Sequence, residues 1–165
     1  MKTLLVMRHA KSSWDNPDLL DHQRPLKKRG LRDAPRMGRW LVEHELMPDL
    51  IVSSPAVRAR TTAELVAEAC HCDEAIRIVD DLYPGSPRDW IAAAAAIREG
   101  VNRLLMVGHN PGIEDFLETL TGEFVRMPTA AIARLDVTID DWSTFNVDGN
   151  VTLVDAYRPK EIDAE

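Results

Sequence analysis

Two histidines occupy the same local setting, each directly after a short apolar run. His9 follows the run Leu4–Arg8, and His109 follows the run Leu104–Gly108. Such runs are typical of buried parallel strands, which are short, apolar and bounded by loop residues. Open α/β sheets bind their ligands at the carboxyl ends of their strands, so both imidazoles and Arg8 are expected at one sheet edge. That combination indicates a site for an anionic substrate; in the alternative, each histidine simply ends its strand.

A second arginine follows another apolar run. The pair Ser54-Pro55 predicts a helix N-cap followed by proline at the first helical position. Arg58 would then lie about one turn into the helix, where unpaired N–H groups attract anions and a guanidinium adds a planar fork for phosphate oxygens. Its position alone favours an ordinary surface arginine.

The elements that must position these residues alternate along the chain. Apolar periodicity and turn residues predict strands at about 3–8, 50–53, 76–79, 103–108, 131–138 and 150–156, with helices at about 28–45, 54–69, 88–98 and 111–121. This order predicts an α/β fold with a parallel-based sheet and helices on both faces. The last two strands flank a turn at Asp148-Gly149 and predict an antiparallel edge. Pro35 leaves the start of the first helix open, because proline is tolerated only near a first turn.

Composition limits the classes of partner. The chain has 165 residues, one domain by length, and a net charge of −7, divided into +5 over residues 1–60 and −12 over residues 61–165. Overall acidity argues against nucleic acid, while the basic half supports a local field for an anion. Most cations of the helix at 28–45 are expected to face water. No apolar run reaches the ~20 residues of a membrane span, so we expect a cytoplasmic protein. Cys70 and Cys72 flank His71 without further metal ligands, which indicates two reduced thiols.

Four segments, in order, resemble the histidine phosphatase superfamily. Residues 6–10 resemble its Arg-His-Gly signature, with Ala10 in place of glycine. The other matches are the Pro-Leu-x-x-x-Gly segment at 25–30, the Ser-Pro-x-x-Arg-Ala-x-x-Thr segment at 54–62, and the segment of the second histidine at 107–112. The short length and the stretch at 129–133 are most similar to the SixA-type phosphohistidine phosphatases.

The resemblance implies a phosphoglycerate-mutase-like fold, a three-layer α/β/α arrangement around a mostly parallel, mixed sheet of six strands. It also implies a covalent mechanism without metal or cofactor. His9 would attack phosphorus and become a phosphohistidine, while Arg8, Arg58 and His109 would bind the three equatorial oxygens of the phosphate. Lys11, Ser12 and Asn110 would lie around the bound phosphate anion.

The sequence departs from many relatives in the residue that protonates the leaving group. Asn110 stands where acid-phosphatase-like members carry an acid, and residues 80–85 contain Asp80 and Asp81 but no glutamate. An alkoxide leaving group needs a general acid, whereas a phosphorylated imidazole protonated at its free nitrogen leaves as neutral imidazole. We therefore expect a monomeric phosphatase whose substrate is a phosphohistidine on a phosphotransfer or carrier domain. The alternatives are a phosphatase of small phosphomonoesters and a non-catalytic module that binds phosphoproteins.

The remaining polar and aromatic candidates have weaker assignments. Asp15, Asp21 and Asp81 are possible proton donors, and otherwise are solvated loop residues. His22, His44 and His71 match no motif and are expected at the surface or at helix ends. The four tryptophans are expected to pack in the interior, with Trp14 alternatively at the mouth of the site.

Overall fold

The computed structural model describes residues 1–148 and 150–162. Its strands are β1 Lys2–Arg8, β2 Leu50–Ser53, β3 Arg77–Ile78, β4 Arg103–Gly108, β5 Ile132–Val137 and β6 Val151–Tyr157. Its α-helices are α1 Lys28–Glu43, α2 Val57–Ala69, α3 Pro87–Ala95, α4 Gly112–Thr121 and α5 Pro159–Ile162. Short 3-10 turns cover Asp21–Gln23, Asp80–Leu82 and Trp142–Thr144. The order of the ten predicted elements is confirmed, and α5 follows them.

The strands form one mixed sheet in the order β3-β2-β4-β1-β5-β6. The first four strands of that order are parallel to one another, and β5 and β6 are antiparallel to their neighbours. The predicted parallel-based sheet with an antiparallel edge is therefore confirmed. Gly149, in the predicted turn between β5 and β6, lies outside the described residues.

Both faces of the sheet are buried, which explains the continuous apolar runs. Along β1, Leu4 belongs to a core cluster with Trp90 of α3, whereas its neighbour Leu5 belongs to a second cluster with Met37 of α1. Successive side chains of a strand point to opposite faces, so a strand covered on both sides must be apolar throughout. Because one cluster packs on each face of the sheet, the sheet lies between two layers of helices, which gives the predicted three-layer arrangement. Among the described residues, no helix has the length and apolar character needed to cross a membrane.

Two predicted boundaries were wrong, whereas α1 begins at Lys28, as predicted. β3 has two residues rather than four, and both are exposed at the edge of the sheet. α2 begins at Val57, not at Ser54-Pro55, because Ser54 uses its hydroxyl for a contact with His109 rather than to cap the helix. Pro35 lies well inside α1, so its presence did not mark the first turn.

The Pro-Leu-x-x-x-Gly segment holds the loop that follows β1. The Ser13 N–H donates to the Pro25 carbonyl at 2.8 Å, and the Lys27 N–H donates to the Lys11 carbonyl at 2.8 Å. A Cβ atom on Gly30 would collide with the backbone of Lys11. The glycine therefore permits α1 to begin directly against the loop that carries the candidate site residues.

Candidate active site

The structure brings the two strand-end histidines together. β1 and β4 are adjacent parallel strands in which Arg8 is paired with Gly108, one residue before each histidine. The His9 N–H donates to the Gly108 carbonyl at 3.0 Å. The two imidazole centroids are 5.1 Å apart. Both histidines are buried, with 6% and 5% of their surface exposed.

The environment of His9 suits a nucleophile. Its Nδ1 lies 2.8 Å from the Ala10 carbonyl oxygen, which can only accept, so Nδ1 carries the proton and the lone pair is on Nε2. Burial lowers the pKa of His9 to about 3; the bond to Ala10 opposes that shift, and the charges of His109, Arg58 and Arg8 add to it. His9 is therefore neutral near pH 7, with Nε2 available to attack phosphorus.

Thr62 fixes the backbone beside the nucleophile. The Ala10 N–H donates to Thr62 Oγ1 at 3.0 Å, and the Thr62 hydroxyl donates to the Arg58 carbonyl at 2.7 Å. Thr62 is completely buried. This residue is the last one of the Ser-Pro-x-x-Arg-Ala-x-x-Thr segment, and the structure shows that it joins the loop after β1 to the first turns of α2.

Ser54 determines which nitrogen of His109 carries the proton. Ser54 Oγ lies 2.7 Å from His109 Nε2 and accepts the Ala56 N–H at 3.2 Å. Within the described chain, His109 Nε2 is the one acceptor for the Ser54 hydroxyl proton, which places the imidazole proton on Nδ1. That Nδ1 is buried without a partner among residues 1–148 and 150–162. Burial, with the charge of Arg58, lowers the pKa of His109 to about 4, so it is a neutral donor.

Arg58 lies in the first turn of α2 and binds an aspartate. Its Nη1 donates to the Asp21 carbonyl at 2.8 Å and its Nη2 to Asp21 Oδ2 at 3.0 Å. The Tyr83 hydroxyl donates to the same Oδ2 at 2.6 Å. Hydrogen bonds from Tyr83, Arg24 and Arg58 hold the pKa of Asp21 far below its usual range. Asp21 is therefore an ionised partner of Arg58, although 45% of its side chain is exposed, and it has no proton to give to a leaving group near pH 7.

Arg24 and Tyr83 are the site residues that sequence reasoning missed. Arg24 is 7% exposed; its Nη2 donates to Ser12 Oγ at 2.6 Å and its Nη1 to Asp21 Oδ1 at 3.0 Å. Its guanidinium carbon lies 3.3 Å from the ring centroid of Trp14, which is 72% exposed. Trp14 therefore lines the mouth of the site instead of packing in the interior. In the sequence, the feature that could have drawn attention to Arg24 is its position directly before Pro25, the first residue of the Pro-Leu-x-x-x-Gly segment.

One cavity of about 210 Å³ gathers the seven predicted site residues. Its lining side chains are those of Arg8, His9, Lys11, Ser12, Trp14, Arg24, Arg58, His109, Asn110 and Thr129. Four of these residues are cationic, and no carboxylate of the described chain lines the cavity. Asp15 and Asp81 are exposed and lie outside it. The cavity is therefore built to receive an anion and contains no group that readily donates a proton as an acid.

A single loop carbonyl orients two of these residues. Asn110 Nδ2 donates to the Met127 carbonyl at 2.9 Å, and Arg8 Nη1 donates to the same oxygen at 3.3 Å. The Met127 N–H in turn donates to Glu114 of α4 at 2.8 Å. The loop before β5 therefore holds the guanidinium of Arg8 against one side of the cavity.

The other candidates lie outside the cavity. His22 and His71 are exposed, and His44 stacks on Trp40 at the end of α1 with ring centroids 4.0 Å apart. Trp40, Trp90 and Trp142 are buried as expected, and both cysteines are free thiols. Within the residues that the structure describes, no three His, Cys, Asp or Glu side chains are grouped to hold a metal ion.

Comparison with known proteins decides the family. Residues 4–83 match the sequence model of the histidine phosphatase superfamily (branch 1). An uncharacterized chloroplast protein of Arabidopsis thaliana is 30% identical over 150 residues, which are 86% of this chain and 69% of the relative. This chain belongs to the histidine phosphatase superfamily. Membership supports phosphatase activity.

The SixA-type resemblance is confirmed as well. The phosphohistidine phosphatase SixA of Escherichia coli is 27% identical over 147 residues, which are 87% of this chain and 90% of SixA. A structure from Agrobacterium tumefaciens that carries the SixA name is 28% identical, has a TM-score of 0.81, and covers 96% of this chain and 98% of its own. A protein histidine phosphatase SixA complexed with tungstate, 24% identical with a TM-score of 0.79 over 97% of this chain and 99% of its own, has the same fold.

Proposed function

We propose that this protein hydrolyses phosphohistidine on a partner protein through a covalent phosphohistidine at His9. One observation carries the proposal: a neutral, buried His9 with Nε2 unprotonated opens into a cavity with four cations and no carboxylic acid among the described residues. In this proposal His9 is the nucleophile, no metal ion takes part, and the cations of the same cavity bind the phosphate. This arrangement supports transfer of a phosphoryl group to His9.

The first step breaks the P–N bond of the substrate. Nε2 of His9 attacks phosphorus in line with the bound histidine, and the partner's imidazole leaves with the electron pair of the P–N bond. Arg8, Arg58 and the Nδ1–H of His109 contact the equatorial oxygens and stabilise their charge. In the second step water attacks the phosphorus of phospho-His9, releases inorganic phosphate and returns the electron pair to Nε2.

The lack of an acid favours a P–N bond over an ester. A phosphorylated imidazole accepts a proton from solvent on its free nitrogen and leaves as a neutral ring. An aliphatic alkoxide has no comparable route, and loses the ~10²–10⁴-fold that a positioned general acid supplies. Asp21, the carboxylate bonded to Arg58, is held ionised by Tyr83, Arg24 and Arg58.

The open mouth of the cavity favours a substrate carried on a protein. Trp14 is 72% exposed beside the mouth, and Leu20, next to Asp21, is 62% exposed. Exposed aromatic side chains frequently anchor protein interfaces. The similarity to E. coli SixA, named a phosphohistidine phosphatase, agrees with this substrate class. We further propose that the enzyme acts as a monomer in the cytoplasm.

The test compares two substrate classes in the presence of a chelator. A panel of phosphohistidine proteins and a panel of aliphatic phosphomonoesters are supplied, and phosphate release is followed. We expect kcat/KM for a phosphohistidine protein to exceed that for the esters by at least ~100-fold, because only the esters lack their acid catalyst. Comparable values, with Asp81→Asn reducing the ester reaction selectively, would identify a small-molecule phosphatase.

A trapping experiment tests the covalent step. Brief incubation of the wild type with ³²P-labelled substrate is expected to leave label that is stable in base and labile in acid, as a phosphoramidate is. His9→Ala is expected to lose both the label and the turnover, while His22→Ala, at an exposed histidine, keeps both. Full activity in His9→Ala would exclude His9 as the nucleophile. Binding without turnover in the wild type would favour the non-catalytic module.

A further inference from the structure

A second cavity of about 210 Å³, here called the basic groove, lies beside the active-site cavity. Three of its cations, Arg29, Arg32 and Arg36, come from one stripe of α1. The others come from the loop before β5 and from the end of the chain: Arg126, Arg158 and Lys160. The phosphatase mechanism above uses none of these six residues.

The basic groove is strongly positive within an acidic protein. Among the described residues that line it, six are cations and two, Asp33 and Glu161, are carboxylates, in a chain whose net charge is −7. Asp33 is buried between three guanidinium groups, at 4.0 Å from Arg29, 3.5 Å from Arg32 and 2.8 Å from Arg36. Asp33 lies closest to Arg36, whereas the side chains of Arg29 and Arg32 are 48% and 65% exposed, so these two cations of α1 remain open to a ligand.

Two further cations of the basic groove are exposed. The side chains of Arg126 and Lys160 have no ion-pair partner among the residues that the structure describes. Arg158 is held in place, because its Nε and Nη2 donate to the Arg126 carbonyl at 3.1 and 3.0 Å. The backbone thus holds Arg158 in place, while the ends of Arg126 and Lys160 remain available to a ligand.

The basic groove and the active-site cavity share a wall. Thr129 lines both, and Arg29 Nη2 donates to Thr129 Oγ1 at 3.3 Å. Within the same loop, the Met127 carbonyl binds Arg8 of the active site and the Arg126 carbonyl binds Arg158 of the groove. A ligand seated in the active-site cavity can therefore continue past Thr129 into the groove.

We propose that the basic groove binds an acidic segment of the phosphoprotein whose phosphohistidine enters the active-site cavity. This inference rests on the proposed function and names where the partner is recognised. The cations are distributed over α1, the loop before β5 and α5, which suits several carboxylates along an extended surface better than one compact ion. Complementary charge of this kind accelerates encounter and selects partners, and its effect weakens as salt is added.

The test uses two phosphohistidine peptides of equal length, one with four glutamates on one side of the phosphohistidine and the other with four glutamines. Hydrolysis is measured at low and at high ionic strength. The wild type is expected to prefer the glutamate peptide by on the order of 10-fold in kcat/KM at low salt, and to lose most of that preference at high salt. Equal rates on the two peptides at low salt would overturn the inference.

Matched charge reversals locate the effect. Arg126→Glu/Lys160→Glu is expected to abolish the preference for glutamate. Arg77→Glu/Arg98→Glu, which makes the same change in net charge near the β3 edge of the sheet, is expected to keep it. Both variants should hydrolyse the small compound phosphoramidate at the wild-type rate. A groove variant that loses phosphoramidate hydrolysis would make the groove part of the catalytic site, and one that keeps the preference would contradict the assignment.

A binding measurement separates this inference from the proposed function. Fluorescence anisotropy of the unphosphorylated, labelled glutamate peptide requires no turnover. The groove variant is expected to bind it on the order of 10-fold more weakly than the wild type and the Arg77→Glu/Arg98→Glu control. Failure to hydrolyse any phosphohistidine peptide, with this binding difference intact, would refute the proposed function alone. Equal binding by all three proteins would refute the basic groove as the acidic-segment site.

Discussion

The two buried histidines of the cavity should make this protein less stable as the pH falls from 7 to 5. His9 and His109 are 6% and 5% exposed, and burial lowers their pKa values to about 3 and about 4. In the unfolded chain both imidazoles titrate near pH 6.5. Between pH 7 and pH 5 the unfolded state therefore takes up about 1.5 protons on these two histidines, which the folded state excludes.

The sign and the size of the effect follow from that difference. A pKa that is lower in the folded state contributes stability above the unfolded pKa and loses it as the pH falls toward the folded value. The slope reaches about 1.4 kcal/mol per pH unit for each histidine. Integrated from pH 7 to pH 5, the loss is about 2 kcal/mol per histidine and about 4 kcal/mol for both. The result is insensitive to the folded pKa values as long as both remain well below 5.

Urea unfolding at pH 7, 6 and 5 measures this loss as a free energy of unfolding. His9→Asn is expected to lose about 2 kcal/mol less than the wild type over the interval, because only one of the two buried histidines remains. His22→Gln, at an exposed histidine, should follow the wild type and serves as the control. Coincident pH dependences for His9→Asn and the wild type would refute the assignment of His9 as a buried, neutral imidazole.

Three further outcomes test the anion cradle. Arg58→Ala should cost about 2–4 kcal/mol of transition-state stabilisation, measured from kcat/KM, which is the range for one lost oxyanion donor. Arg58→Lys should recover little, because an ammonium cannot reproduce the two guanidinium donors that bind Asp21. Near wild-type rates for both variants would place Arg58 outside the reaction. Ser54→Ala should reduce the population of the Nδ1-protonated tautomer of His109, which ¹⁵N NMR measures. The variant should lower kcat/KM by less than the ~100-fold or more that follows the loss of an oxyanion donor. An unchanged tautomer would contradict the role of Ser54. Treatment with a chelator should leave phosphohistidine hydrolysis unchanged, and a loss restored by a divalent ion would show that a metal takes part.

The sequence predicted those features that depend on local pattern and order. β2 and β4 were predicted at the residues that form them, because a strand buried on both faces is apolar throughout and ends sharply at polar residues. The strand-end argument also placed His9 beside His109, because it relies only on neighbouring parallel strands. Periodicity carries this kind of information without any knowledge of tertiary contacts.

Features that depend on side chains from distant segments were not predictable in the same way. Ser54 has the residue type of an N-cap, and only the fold shows that His109 competes for its hydroxyl. Asp21 looks like a loop aspartate until α2 and the turn at 80–82 bring Arg58 and Tyr83 to it. Arg24 and Trp14 stack on each other because the loop after β1 pairs with the segment before α1, a contact that no local pattern encodes.

The carboxylate that holds Arg58 also bears on how the product leaves. In the proposed reaction, inorganic phosphate bound in the cavity would share the guanidinium of Arg58 with Asp21, an anion that the fold keeps in place through Tyr83 and Arg24. The negative charge of Asp21 would raise the free energy of bound phosphate. It would raise the free energy of the phosphoryl group less during transfer, since part of the charge then lies on the attacking and leaving atoms. In that reaction Asp21 would act against retention of the product, so that a strongly cationic cavity would release phosphate after each turnover instead of being inhibited by the phosphate present in a cell.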